Sequence, residues 1–483
     1  MIMASPCHSL VDGSRFLMDY QQAFVTRSDG STWPKWQRTW IHAMRYFRGL
    51  LRPGSRKSLT SLAARVDDSQ EQLERFIRDS QWEPDQVTSY LRDRTPAAVQ
   101  DGTAALVLDD FGIPKKGSYS VGVGRQWCGA TGKIDNCQSI VDLTLVAPGQ
   151  QHNADQVTWP MGMRLYLPKK WVGEDSSIYD DQEQEEWYAR LREETGIPED
   201  ITYLPKHVIA AELIEEAAPT VSHDCIVADS GYGKRGPLRK RLQELDEPYV
   251  LEIESGRLHV IPEGTDLLEP GPTPGQGPAR QYLTIPETVT PRTAGEIAQI
   301  VETDNEWIEV EWAEGSKGTL SGLFARTRVQ VVKNVHERRV SDETGWLLVQ
   351  KEQPAGDESS IKAWICWGLD DQSLEELVGW AHIRWTIEQF HREIKQVLGA
   401  DEFQGRTWNG LHHHLAVVML AHAFIAEQRL RTGDDGIGFD TFEEVARRLV
   451  LEAAVQRLID RHGFSRSQAE EVAEDMLRGF SAW

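Results

Sequence analysis

Apolar positions along this 483-residue chain change their spacing several times, and each change predicts a different kind of element. From Trp36 onward they recur at helical intervals. Trp36 to Leu51 reads as an amphipathic helix broken by Pro53-Gly54, Ser58 to Arg65 opens a second, and Asp67-Asp68-Ser69 caps a third over Gln70 to Asp79. Two short helices across a tight turn, with Arg75 and Arg78 on the second, fit a helix-turn-helix DNA reader and equally an ordinary helical hairpin.

Beyond about residue 100 the pattern becomes strand-like. Ala104-Ala-Leu-Val-Leu-Asp-Asp110 and Cys225-Ile-Val-Ala-Asp229 are short unbroken apolar runs ending in acid, the pattern of buried strands that deliver a carboxylate at their carboxyl ends. Further strands are predicted over Ser120 to Trp127, Gln138 to Ala147 and Tyr249 to Ile253, with a basic helix over Leu238 to Leu245. Asp229 then closes a strand of a strand-turn-helix-strand unit, at the mouth of an open sheet where such folds bind ligands. From Ser255 to about Gly368 the texture shifts again. Pro262 to Pro291 is rich in Pro and Gly and reads as loop, and Trp307 to Trp312, Thr327 to Val332, Trp346 to Gln350 and Ile361 to Trp367 read as strands.

Helices return at Leu374 to Leu398 and Leu411 to Arg431, and two or three more follow around His462-Gly463. In the first of these Ile383, Ile387, Phe390, Ile394 and Leu398 form an apolar stripe. Arg384, Glu388, His391 and Lys395 share a separate sector about 60° wide, so one carboxylate lies between two cations. Alone, this reads as a solvated face with i,i+4 ion pairs.

Composition narrows the possibilities. No run of about eighteen apolar residues exists, and Met1 to Leu10 lacks the layout of a signal peptide, which predicts a cytoplasmic protein without a membrane partner. The five cysteines (Cys7, Cys128, Cys137, Cys225, Cys366) are odd in number and form no CxxC pair, against both a disulfide framework and a thiolate zinc site. The formal net charge of -23 argues against nucleic acid, but it is unevenly spread: Glu174 to Glu216 is acidic, while Arg38 to Arg65 and Lys234 to Arg241 are locally basic.

Two glycine patterns invite phosphate-loop readings. Gly124 and Gly129 have Walker spacing but are followed by Ala130-Thr131 instead of Lys and a hydroxyl residue, so hairpin turns are expected there. Gly231-Tyr-Gly-Lys-Arg-Gly236 matches GxGxxG, with Glu252 near the place of a ribose-binding acid. Asp229 beside the would-be pyrophosphate, Pro237 after the last glycine and the lack of a second mononucleotide-binding half count against a dinucleotide.

Three acids remain: Asp110 (or its neighbour Asp109), Asp229 and Glu388. Carboxylates converging from separate elements suit a hard, oxygen-seeking cation such as Mg²⁺, with Arg384 and Lys395 beside it for phosphate. His391 and the basic pair Lys234 and Arg235 are further candidate DNA contacts. His412-His-His414 point about 100° apart on a helix, which predicts core or phosphate contacts in place of chelation. Asp142 is a possible extra acid, facing solvent or a neighbouring helix. Each Trp of the β-rich segment is expected to pack in the core, with stacking on a flipped base as the alternative.

The order Asp, Asp, then Glu within Arg-x-x-x-Glu-x-x-x-x-x-x-Lys resembles the DDE transposases of prokaryotic insertion sequences, in the group named for its Tyr-Arg-Glu-Lys motif. Asp109-Asp-Phe-Gly-Ile-Pro-Lys-Lys-Gly117, Val227-Ala-Asp-Ser-Gly-Tyr-Gly233 and Gly405-Arg-Thr-Trp-Asn-Gly-Leu-His-His-His414 are similar to a subgroup of about this length, over roughly residues 35 to 430. The resemblance implies an α/β fold with an RNase H-like catalytic core interrupted by a β-rich insertion, and helical N- and C-terminal regions. The corresponding divisions are a DNA-binding region at 1–100, core at 101–254, insertion at 255–368, core with the Glu helix at 369–432, and a helical C-terminal region at 433–483. It implies two Mg²⁺ ions, replaceable by Mn²⁺, held by Asp110, Asp229 and Glu388, and double-stranded DNA as partner, both terminal repeats and target, with a homodimer in the complex. Two departures stand out: Ala381 occupies the place of the motif's Tyr, and Phe111 that of a Thr in many relatives. The pattern puts the first ligand directly before that Thr, which favours Asp110; adjacent strand residues face opposite sides, so only one of the two acids serves. Rival readings are a transposase-derived DNA-binding protein that no longer cuts and a two-carboxylate hydrolase.

Overall fold

A computed structural model describes residues 16–478 except 53, 55, 67, 101–102, 148–155, 174–175, 272–280, 305, 316–317, 353–359 and 435–440. Pro53, Asp67 and Cys7, which figured in the reading above, lie outside the described residues. Among those described, no helix is long and apolar enough to cross a membrane.

The N-terminal helices are α1 (Trp36–Leu51), α2 (Leu59–Val66), α3 (Gln70–Asp79) and α4 (Pro84–Asp93). Ser69 caps α3 by accepting from the Gln72 amide, as its position predicts. The core follows with β1 (Ala105–Pro114), β2 (Gly124–Cys128), β3 (Lys133–Ala147), β4 (Val157–Tyr166), α5 (Gln182–Thr195), α6 (Lys206–Ala217), β5 (Cys225–Ala228), α7 (Gly236–Glu244) and β6 (Tyr249–Ile253). The β-rich stretch holds β7 (His259–Pro262), β8 (Arg292–Thr293), α8 (Ala294–Asp304), β9 (Ile308–Gly315), β10 (Gly318–Asn334), β11 (Arg339–Lys351) and β12 (Ile361–Trp367). Last come α9 (Leu374–Ile383), α10 (Trp385–Arg392), α11 (Trp408–Asp434), α12 (Phe442–His462) and α13 (Arg466–Arg478).

Five strands in the order β4-β3-β1-β5-β6 form the RNase H-like core, with β5 and β6 parallel to β1 and β3 running against both its neighbours. Strands β1 and β5 are almost wholly buried until each reaches its acid, which is why they read as unbroken apolar runs. The β-rich stretch extends this sheet directly: β12 pairs antiparallel with β6, and β11, β10, β7 and β8 follow in turn. Helix α8 was not expected, and neither was β4. Pro160 and Gly162 argue against a strand, but β4 lies at the edge of β3, and a register shift between Leu143 and Thr144 leaves Met161 bulged out beside Pro160.

The predicted helix from Leu374 to Leu398 is broken into three pieces. Ser373 starts α9 with a capping box, α9 stops at Ile383, and Glu393–Val397 forms a π-helical turn before Gly399 at φ 71°. The apolar stripe still does its predicted job, because Ile383, Ile387, Phe390, Ile394 and Leu398 are all buried.

Helix α11 runs through the interior, buried on nearly every side from Leu411 to Ala426, and packs on α1, α3, α4 and β4. His414 sits in this core. Its Nδ1 accepts from the Tyr46 hydroxyl (2.8 Å) and its Nε2–H donates to the Gly399 carbonyl (3.2 Å), so the neutral ring is satisfied. Burial pushes its pKa down to about 4. A group with a depressed folded value contributes its stability above the unfolded value, near 6.5, and loses it as pH falls towards 4. We therefore expect the urea midpoint to fall over that window more steeply in the native chain than in His414→Gln, with a difference of up to roughly 3 kcal/mol at the acid end. Parallel pH profiles would show that His414 is not the source of this pH dependence.

Candidate active site

Acids gather at one level of the sheet because the parallel strands align Leu108 of β1, Ala228 of β5 and Leu251 of β6, and Asp109, Asp229 and Glu252 each follow that row. Asp109 lies within β1 directly opposite Asp142 of β3, so these two side chains share the face on which α10 packs. Arg384, at the junction of α9 and α10, donates through Nη1 to Asp109 Oδ2 at 3.1 Å. The same guanidinium lies 3.9 Å from Glu252 of β6 and 3.9 Å from Glu388, one turn along α10. A single cation therefore stands among carboxylates from two strands and a helix.

Asp229 follows β5 and caps the next turn, its Oδ1 accepting from the amides of Gly231 (2.9 Å) and Tyr232 (3.3 Å). That capping occupies the amides a pyrophosphate would need. Gly233 has its own reason to be glycine, since a Cβ there would stand 1.9 Å from the Glu252 carbonyl oxygen. The GxGxxG match is thus accounted for by strand packing and a cap.

Electrostatics bind the cluster together. Burial and the neighbouring Asp229 push the Asp109 carboxyl up to about 7, against the pull of His391 and Arg384. Burial likewise raises Glu252. For Arg384, burial acts to lower the pKa, but Asp109, Asp229, Glu252 and Glu388 together hold it above its ordinary value. Excess negative charge converging on one guanidinium, all of it on oxygen donors, fits a hard divalent cation. Among the described residues, however, no three acid, imidazole or thiol groups are gathered at metal-binding distance. Arg384 lies between them.

Asp109 and Asp110 have different surroundings. Asp110 accepts from Lys206 Nζ of α6 (2.9 Å), Ser139 Oγ (3.2 Å) and the Tyr232 hydroxyl (3.3 Å). Asp109, not the Asp110 favoured from the motif, is the acid in contact with the arginine that also approaches Glu388. His391, expected at DNA, instead turns inward, its Nε2 lying 2.8 Å from the buried Asp142 carboxylate. Burial acts to lower its pKa, but Asp142 and Asp109 hold it above the usual histidine value. Lys395, in the π turn, is largely buried, with Nζ 4.9 Å from the centre of the Phe111 ring, and burial draws its pKa down. Lys234 pairs with Glu254 at 2.9 Å, and Arg235 is exposed beside it. Glu388 is half exposed.

Lys206, Tyr232 and Glu252 escaped prediction as neighbours of this site. Lys206 opens α6 after Pro205 with no pattern around it, and Glu252 carried only the weak ribose-acid signal. The other candidates have partners within the protein. His413 lies in the core against the Ile77 and Trp82 carbonyls, and His412 meets the Trp408 carbonyl. Trp312 stacks on His382, and Trp346 lies under Arg326 and Arg328. Ala381, at the motif's Tyr position, is buried. On α3, Arg75 pairs with Glu71, and Arg78 with Glu74 and Asp79.

A family model described as DDE superfamily endonuclease matches residues 34–319, and one described as transposase DDE domain matches residues 328–424. Among curated proteins, the chain is 23% identical over 356 residues to the "Probable transposase for insertion sequence element IS701" of Microchaete diplosiphon, covering 72% of this chain and 77% of that protein. Among solved structures, the piggyBac transposase synaptic complex with hairpin DNA is similar at 11% identity and a TM-score of 0.41, covering 99% of this chain and 87% of that one.

If Arg384 offsets the charge of Asp109, Arg384→Gln will destabilise the fold by roughly 2–3 kcal/mol at about pH 8, and by less at about pH 6, where Asp109 can take up a proton. Adding Asp109→Asn should restore part of the loss at the higher pH. Chemical denaturation of the native chain and these two variants across pH measures this, and a loss independent of pH would refute the charge coupling.

Proposed function

This chain belongs to the DDE superfamily of endonucleases, and on that premise we propose that it is a transposase that cuts DNA at element ends and joins the 3′ ends to target DNA. The observation that carries the proposal is the meeting of Asp109 and Glu388 at Arg384, from elements far apart in sequence, beside Glu252 and the end of β5. A two-carboxylate hydrolase has no use for the cation there, whereas phosphoryl transfer needs both acids and cations at one place.

In this reading Asp109, Asp229 and Glu388 hold the metal, with Asp110 as a structural acid engaged by Lys206, Ser139 and Tyr232. Two Mg²⁺ ions, or Mn²⁺ in their place, would activate the attacking water or 3′-hydroxyl and stabilise the leaving oxygen. Arg384, free to offer a planar fork once its carboxylates are neutralised, grips the scissile phosphate. Lys395 supplies a second positive charge from the π turn. The His391–Asp142 pair, across the sheet from Asp109, adds charge of both signs to the surroundings of that acid. Lys234 and Arg235, with the helices of residues 1–100, supply further contacts to the duplex, and two copies of the chain hold two DNA ends.

The relation of binding to cutting tests this. Incubated with duplexes bearing the element's ends and Mg²⁺, the native protein should nick and join them, while Asp109→Asn, Asp229→Asn and Glu388→Gln bind the same duplexes without cutting. Asp110→Asn should keep measurable cleavage. Cleavage that survives Asp109→Asn but not Asp110→Asn would reverse the assignment of the two acids, and failure of the native protein to bind DNA at low salt would refute the reading as a whole.

A further inference from the structure

The outer end of the β2–β3 hairpin, away from Ser139 and Asp142, plays no part in the site described above, yet it carries the two most exposed large apolar side chains among the described residues, Trp127 (63%) and Ile134 (61%). They are not scattered. Trp127 and Ile134 are direct cross-strand partners and so stand side by side on one face of the hairpin. Arg125, two residues before Trp127, points to the same face and is exposed; Lys133, next to Ile134, is also exposed but starts from the opposite face at the edge of the turn. The turn between the strands is Gly129-Ala-Thr-Gly132, and a Cβ added at either glycine would meet nothing, so the tip is narrow and open.

Like Arg38 to Arg65, this arm departs from the acidity of the chain as a whole. From Phe111 to Ile134 the chain has no acidic residue and carries Lys115, Lys116, Arg125 and Lys133, in a protein of net charge -23. Lys115 is spent on the Phe403 carbonyl, but Lys116 is exposed, and the amide of Asn136 ties that loop to the hairpin by donating to the carbonyls of Lys115 and Gly117. The first acid on the arm, Asp135, stands 3.8 Å from Lys133.

Position completes the case. Strand β3 runs from the hairpin to Asp142, opposite Asp109, and Ile134 lies eight residues before Asp142 on that strand. At about 3.3 Å per residue the apolar pair stands roughly 26 Å from the acids. That is less than one turn of duplex, about 34 Å.

Resting on the reading of the chain as a transposase, we propose that the β2–β3 hairpin is a DNA wedge. Trp127 and Ile134 enter the duplex about eight base pairs from the cut, at about 3.4 Å per pair, and part a base step there, while Arg125 and Lys133 hold the flanking phosphates. Apolar side chains flanked by cations are how proteins kink DNA, and the bend would bring the backbone down towards Asp109 and Glu388.

The test uses the full-length chain carrying Glu388→Gln, so that bound DNA stays intact, and a duplex of the DNA flanking the gene with 2-aminopurine placed at successive positions. Trp127→Ser with Ile134→Ser should bind about ten-fold more weakly and lose a local rise in 2-aminopurine fluorescence seen with the parent. Arg125→Gln with Lys133→Gln should flatten the slope of log affinity against log salt by roughly 1.8. Unchanged affinity, slope and fluorescence in both variants would overturn the wedge while leaving the transposase reading intact. Sedimentation that shifts from dimer to monomer without DNA in the Trp127 variant would assign the pair to a contact between copies of the chain, also overturning it. If the parent protein binds no duplex even at low salt, both fall together. Thermal denaturation is expected to be unchanged, because the altered side chains are exposed.

Discussion

Burial of carboxylates at one level of β1, β5 and β6 is the constraint around which this molecule is arranged. Burial first, and Asp229 second, raise Asp109 and Glu252 above the usual carboxylate range, and Arg384 is the cation that Asp109, Asp229, Glu252 and Glu388 share. Like charges drawn together in a partly buried place cost free energy, and folds tolerate that where function needs it. The break between α9 and α10 belongs to the same arrangement. It puts Arg384 at a helix junction, where its side chain reaches β1 and β6 together.

Around that point the structure uses two kinds of support. Backbone pairing carries the sheet without interruption from β4 through the core to β8, so the β-rich segment shares one hydrogen-bonded frame with the strand beside Asp229. Buried polar ties fix the layers: Arg239 of α7 donates to Glu343 of β11 at 2.7 Å, and the Tyr249 hydroxyl donates to the same carboxylate at 2.8 Å. Both Arg239 and Glu343 are almost fully buried, and such a pair holds its elements in one register, because separating it would strand a charge in the interior.

Much of this could be read from the residues, for identifiable reasons. Strands β1 and β5 are buried on both faces up to their acids, so their sequences begin as unbroken apolar runs that the acids interrupt. The stripe from Ile383 to Leu398 survives a kink and a π turn because packing depends on which side faces the core, not on ideal geometry. Strand β4 was hidden by Pro160 and Gly162, which an edge position and a bulge accommodate. The motif favoured Asp110; alternation says that Asp109 and Asp110 face opposite ways but not which face α10 covers, so the contact of Asp109 with Arg384 could not be read. His391 shared a sector with Glu388 on an ideal helix, yet a buried Asp142 across the sheet claimed it. Lys206 and Glu252 reach the site through long-range topology that local pattern does not encode.

The interior placement of α11 has a consequence for how the chain comes to be folded at all. This helix, beginning at Trp408, fills the space against α1, α3 and α4, which lie more than three hundred residues earlier. Such contacts are slow to form, because a very long loop must close before they stabilise anything. During synthesis at about 5–20 residues per second, the first hundred residues would wait tens of seconds, with Tyr46 and Phe76 lacking their native cover, before α11 left the ribosome. Folding of the N-terminal helices is therefore a late event, completed from the carboxyl side of the chain.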